Sequence, residues 1–160
     1  CLVGSEMCIR DRCMIGAGTA ISVDLAKAAI GAGAQFLLTP GTPIDVLQYC
    51  AKKDIMLLPG VFTPGDVATS LEFGYKTMKL FPAGCAPKGY LKALKGPYDE
   101  ANYIAIGGVT IDNINDYFKE GYMGVGLASN LMPLSVLKDK NWALGVSYVQ
   151  KYVSRVKRRV

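Results

Sequence analysis

Thr77-Met78-Lys79-Leu80-Phe81-Pro82-Ala83-Gly84 reads as a short apolar strand that runs into proline and small residues. The same grammar recurs along the chain. Strands are expected over 14–16, 35–39, 55–58, 77–81, 103–106 and 123–126, and helices over 22–30, 43–51, 64–73, 90–94 and 112–119. Such alternation predicts repeated βα units and a parallel sheet. Gly33, Gly74 and Gly121 fall where a helix gives way to the next strand, the place of a left-handed cap. Ser22, Thr42, Thr63 and Thr110 stand at or just before helix starts. At the opposite strand ends lie Gly-Ala-Gly-Thr (16–19), Thr-Pro-Gly (39–41), Pro-Gly (59–60), Gly-Gly (107–108) and Gly-Leu-Ala-Ser-Asn (126–130). Small residues there let backbone amides approach a ligand, and in a βα barrel those ends form the mouth of the site.

Lys79 is the unusual member of its strand. With a period of two it shares a face with Thr77 and Phe81, below the mouth. Burial disfavours an ammonium and leaves a neutral amine able to condense with a ketone. The alternative is a lysine that carries its head to solvent from the strand end.

Composition narrows the chemistry. The 160 residues contain no histidine, which excludes a histidine-bound zinc site and a Ser-His-Asp triad and leaves acid–base work to lysine and carboxylates. Cys1, Cys8, Cys13, Cys50 and Cys85 are odd in number and lack C-x-x-C spacing, so neither a zinc knuckle nor a disulfide framework is indicated and a reducing cytoplasm is expected. Cys85 is the one loop thiol expected to be reactive. A hydrophobic content of 51% suits one compact domain. The net charge of +5 owes much to Lys151, Arg155, Lys157, Arg158 and Arg159, read as a solvated helix end. No aromatic-interleaved basic stripe accompanies them and no apolar run reaches membrane-span length, so neither nucleic acid nor membrane is an expected partner. Trp142 opens the terminal helix and is expected to pack. Residues 1–12 (CLVGSEMCIRDR) have no helical or strand periodicity and resemble a translated adapter read-through. They are expected to be a non-native leader, with a single domain over 13–160.

Gly107-Gly108 and Ala128-Ser129 follow successive strands, and in a barrel the last two βα loops often bind phosphate through backbone amides. A tight turn is the plain reading of Gly-Gly alone. The pairing with Gly126 to Ser129 favours a phosphorylated small molecule.

Taken in order, Ile15-Gly-Ala-Gly-Thr19, Gly33-Ala-Gln-Phe36, Thr39-Pro-Gly41, Leu58-Pro-Gly60, Thr63-Pro64, Lys79-Leu-Phe-Pro-Ala83, Leu91-Lys-Ala-Leu-Lys-Gly-Pro97 and Gly107-Gly-Val109 resemble the 2-keto-3-deoxy-6-phosphogluconate and 4-hydroxy-2-oxoglutarate aldolases. The resemblance runs from Ile15 to about Pro133. It implies a class I aldolase on an α/β (β/α)8 TIM barrel, trimeric in the family and independent of metal or cofactor. Carried over by position, Lys79 forms an imine with a keto acid. Thr19, Pro40 and Gly41 hold the carboxylate and carbinolamine oxygens, and Phe81 walls the pocket. Gly107, Gly108 and Ser129 receive the phosphate of the aldehyde half.

The pattern departs from the family at three places. The family's glutamate and arginine on its second strand and loop would precede Ile15, so the expectation is a barrel without its first two βα units. None of Asp45, Asp66, Asp99, Glu100 and Asp112 replaces that base. Ile106 stands where the family usually has threonine, and Cys85-Ala-Pro-Lys-Gly89 replaces a loop the family usually fills with an acidic or asparagine residue and two glycines. The rival readings are a non-catalytic fragment that binds an anion or self-associates, and a phosphosugar isomerase or synthase barrel, which would not need Lys79.

Overall fold

The computed structural model describes residues 13–157, and the leader read over residues 1–12 lies outside them. The chain forms two compact units, Cys1–Lys79 and Leu80–Val160.

In the first unit β1 (Gly16–Ala17), α1 (Val23–Gly31), β2 (Phe36–Leu38), α2 (Ile44–Lys52), β3 (Leu57–Leu58), β4 (Gly60–Val61) and α3 (Pro64–Glu72) follow one another, and the unit closes at Lys79 within β5 (Thr77–Leu80). β1, β2 and β3 pair in parallel, with Gly16 opposite Phe36, Ala17 opposite Leu37 and Leu38 opposite Leu58. The expected strand over 55–58 starts later and is followed by β4. Pro59 separates the two because it has no N–H for a ladder. The first strand is shifted to Gly16–Ala17, where the absence of a side chain on Gly16 lets the Phe36 ring lie against it.

Local chemistry sets the helix ends. Ser22 accepts from the Leu25 N–H at 3.3 Å to start α1. Thr63 and Asp66 form a reciprocal capping box on α3, with Pro64 in the first turn. Pro43 caps α2, so Thr42 belongs to the turn before it, where its hydroxyl donates to Asp66. Gly33 and Gly74 have φ of +94° and +85°, as expected of residues that reverse the chain after a helix. The core gathers Ala26 of α1, Leu37 of β2, Val46, Leu47 and Cys50 of α2 and Leu57 of β3. Burial raises the Cys50 thiol, as fits a packing residue.

The second unit holds a single 3-10 turn (Ala83–Cys85), α4 (Tyr90–Lys95), β6 (Asn102–Ile106), α5 (Ile114–Glu120), β7 (Gly124–Gly126), α6 (Leu134–Lys138) and α7 (Trp142–Lys157). β6 and β7 are parallel, with Ile104 opposite Gly124 and Ile106 opposite Gly126. A Cβ on Gly126 would lie 2.7 Å from Ile106 Cγ1, so the small residue makes room for the branched one. Leu91, Leu94, Tyr103, Ala105 and Ile114 are buried here. Gly121 caps α5 at φ +103°. α6 was not anticipated, since its five residues are too few to show a periodicity. Trp142 corrects an expectation: it is 60% exposed and does not pack. The first residue of a helix whose inward positions are Gly145 and Tyr152 simply faces outward.

Candidate active site

In the first unit the carboxyl ends of the strands are stitched together by hydrogen bonds. Ala20 N–H donates to Leu38 C=O at 3.1 Å, tying the loop after β1 to the end of β2. The fully buried hydroxyl of Thr39 donates to Gly41 C=O at 2.6 Å and accepts from Gly60 N–H at 3.1 Å. One residue back, Pro59 C=O accepts from Lys79 N–H at 2.8 Å. Thr19 follows β1, Pro40 and Gly41 follow β2, and Lys79 is the penultimate residue of β5, all in one unit. Gly60 is indispensable to this arrangement. A Cβ there would sit 2.6 Å from Thr39 O and collide with the Pro40 carbonyl.

Thr19 is exposed and takes φ +62°, a left-handed conformation that costs a β-branched residue about 1–3 kcal/mol. Strain of that kind, in a loop held at both ends, keeps a hydroxyl and neighbouring amides at the strand ends.

Along β5 burial alternates: Met78 and Leu80 are fully buried, whereas Thr77 and Lys79 are half-buried. The alternation places Lys79 on the face read from the sequence. Desolvation lowers its pKa below the ordinary 10.5 and enlarges the neutral, nucleophilic fraction of the amine. Such a group can add to a carbonyl. The carboxylates surveyed in the sequence are otherwise engaged or exposed. Asp66 accepts from Phe62 N–H at 3.0 Å and Thr63 N–H at 2.8 Å, while Asp45, Asp99, Glu100 and Asp112 are exposed.

The second unit brings together Phe81, Gly107, Gly108 and the loop of Ser129. A Cβ on Gly107 would lie 3.2 Å from the Phe81 ring, and one on Gly108 2.9 Å from Gly84 Cα. Both glycines have positive φ, +91° and +82°. Gly84 N–H donates to Gly107 C=O at 2.8 Å and Asn113 Nδ2 donates to Gly108 C=O at 2.9 Å. With both carbonyls accepting hydrogen bonds, the conformation of the turn is fixed. Asn130 Nδ2 donates to Val109 C=O at 3.1 Å and so joins the loop of exposed Ser129 to the Gly-Gly turn.

Sequence reading missed Thr39, Asn113 and Asn130 as residues that shape these loops. Thr39 was visible only as part of Thr-Pro-Gly, and Asn130 only as the residue after Ser129. A cavity of about 570 Å³ beside the turn is lined by Gly84, Lys88, Asn113, Tyr117 and Tyr122 and contains none of the residues selected from sequence. Among the described residues no cluster of three or more carboxylates and thiols is placed to hold a metal ion, and no helix is long and apolar enough to cross a membrane.

Parallel strands alternating with helices, with a lysine and glycine turns at their carboxyl ends, define an α/β protein of the TIM-barrel class. Among solved structures it is similar to a KDPG aldolase from Legionella pneumophila with pyruvate captured at low pH as a covalent carbinolamine intermediate. The two superimpose with a TM-score of 0.79 at 30% identity, over 85% of this chain and 66% of that one. A family model described as KDPG and KHG aldolase matches residues 5–146. The chain belongs to that family. It is 34% identical to the 2-dehydro-3-deoxy-phosphogluconate aldolase of Pseudomonas aeruginosa, over 84% of this chain and 61% of the relative. It is 31% identical to the 2-dehydro-3-deoxy-6-phosphogalactonate aldolase of Escherichia coli, over 89% of this chain and 70% of the relative. The chain thus spans about three-fifths of the length of the Pseudomonas protein.

Proposed function

We propose that this chain carries the Schiff-base centre of a class I aldolase, a lyase that cleaves a 2-keto-3-deoxy-6-phospho sugar acid or 4-hydroxy-2-oxoglutarate to pyruvate and an aldehyde. The observation that carries the reading is the half-buried Lys79, its pKa lowered, at a strand end in a chain of this family. The neutral amine adds to the C2 carbonyl, and loss of water gives a protonated imine. Transfer of the C4 hydroxyl proton to a base other than the carboxylates surveyed above breaks the C3–C4 bond; the aldehyde leaves and the bonding pair passes into the iminium as an enamine. Protonation at C3 and addition of water return pyruvate and the free amine. The iminium is the electron sink, so the chemistry requires neither metal nor cofactor.

In this reading Thr19 and the backbone of Pro40 and Gly41 hold the carboxylate and carbinolamine oxygens, and Phe81 walls the pocket. Gly107, Gly108 and Ser129 take the phosphate of the aldehyde half. The captured carbinolamine in the Legionella relative supports the imine step. A cytoplasmic enzyme assembled as a homotrimer completes the proposal. Borohydride trapping with pyruvate, read by intact mass and peptide mapping, tests it. A pyruvyl adduct at Lys79 is expected, and its absence from a folded sample sinks the Schiff-base assignment.

A further inference from the structure

Gly107, Gly108 and Ser129 offer an anion only neutral donors, and a phosphate dianion is held better when a cation completes the set. The C-terminal helix supplies one. The hydroxyl of Tyr152, a buried residue of α7, donates to Asn130 C=O at 2.6 Å, and Asn130 in turn donates to Val109 C=O. The helix, the Ser129 loop and the Gly-Gly turn are therefore joined by direct hydrogen bonds. Lys151, one residue before Tyr152, opens on a cleft of about 350 Å³ whose walls include Ser129, Asn130 and Tyr148. Its ammonium lies 4.9 Å from the centroid of the Tyr148 ring, a contact that restrains a long and otherwise free side chain. A second cleft of about 460 Å³ shares Ile111 and Lys151 and adds Arg155, Ser147 and Ser154. No carboxylate is among the described residues lining either cleft, and α7 contains no acidic residue.

We propose that Lys151 is a further anion-binding residue of this site, the countercharge for the phosphoryl end of the substrate along the groove beside α7. It thereby favours phosphorylated over unphosphorylated aldehyde halves. The inference rests on the reading of the two loops as the phosphate site. A lysine that merely stacks on Tyr148 would have no such effect.

The test is a titration of the isotope-labelled full chain with inorganic phosphate, following the amide resonances of Gly107, Gly108 and Ser129. Lys151→Gln is expected to weaken binding about fivefold and to flatten its salt dependence, as for an exposed ion pair at the favourable end of the range. Lys151→Arg should preserve binding, and Lys138→Gln on the exposed side of α6 should leave it unchanged. The unchanged remainder of the spectrum verifies the fold of each variant. Undiminished phosphate affinity in Lys151→Gln overturns the role of Lys151 and leaves the loop assignment standing. No response at these amides in the unsubstituted chain overturns both, while pyruvate trapping at Lys79 is judged separately because pyruvate carries no phosphate.

Discussion

The main-chain N–H of Lys79 donates to the carbonyl of Pro59 at 2.8 Å, which registers Lys79 against the residue preceding Gly60. Gly60 N–H in turn donates to the Thr39 hydroxyl, so the adjacent residues Pro59 and Gly60 tie the strand that bears the amine and the Thr39 loop to one point of the chain.

Replacement of Lys79 by Met or Arg is expected to abolish the trapped pyruvyl adduct, since neither side chain offers a neutral amine. Far-ultraviolet dichroism should be retained. The lowered pKa also fixes the sign of two pH effects. Imine formation should begin at lower pH than for an exposed lysine. Between the lowered value and the ordinary 10.5 the unfolded chain binds the proton and the folded chain does not, so Lys79 makes stability rise with pH across that window. Denaturant titrations at a series of pH values should show a shallower rise in Lys79→Met, and an identical slope would contradict the burial of the amine.

Thr39→Val keeps the shape of the side chain but strands the Gly60 N–H. A loss of about 1–3 kcal/mol is expected in urea unfolding, the usual cost of an unsatisfied buried donor. Gly60→Ala should lose about 1–3 kcal/mol from overpacking against the Pro40 carbonyl. Stability equal to the parent in either variant would show that the two loops are not locked.

Gly108→Ala combines a left-handed backbone with a Cβ close to Gly84, and the backbone strain alone is about 1–2 kcal/mol. Phosphate affinity should fall while pyruvate trapping at Lys79 persists. Parallel loss of both would point to unfolding rather than to a local change at the turn.

Asp66 has a definite acid signature. Burial alone would raise its pKa, but bonds from the N–H groups of Thr63 and Phe62 and the hydroxyls of Thr63 and Thr42 outweigh that and hold it below the usual carboxylate range. Its contribution is thus complete above the unfolded value and disappears as pH falls through the lowered folded one. Asp66→Ala should cost about 1 kcal/mol at neutral pH, the worth of a cap. The difference between parent and variant should shrink in acid, and a constant difference would argue against the charge.

Trp142→Ala is expected to change stability by no more than about 0.5 kcal/mol, as for a surface residue away from packed features. Calorimetry of the pair would reveal a larger effect if the ring were buried.

The alternation of strands and helices was legible because each βα unit repeats the same local devices. Thr63-Pro64 and Ser22 mark helix starts through orphan amides, and Gly33, Gly74 and Gly121 mark ends through positive φ. Lys79 was legible because one charge interrupts an apolar strand. The split of β3 from β4 was less visible, since Pro59 breaks a ladder whose partners are known only in space. Thr39, Asn113 and Asn130 were missed for a related reason. The hydrogen bonds from Thr39 to Gly60 and from Asn130 to Val109 each span 21 residues, which no local spacing encodes, whereas the bond from Asn113 to Gly108 spans five and has no recurrent sequence signature. Trp142 misled because a large apolar ring suggests packing, whereas a helix's first residue is free to face outward.

Where Gly60 passes the Pro40 carbonyl, two stretches of main chain meet with no side chain between them. The floor of this loop is therefore not a dial that evolution or a saturation library can turn at position 60. Variation is left to exposed positions such as Thr19 and Pro40, on a backbone that stays the same shape beneath them.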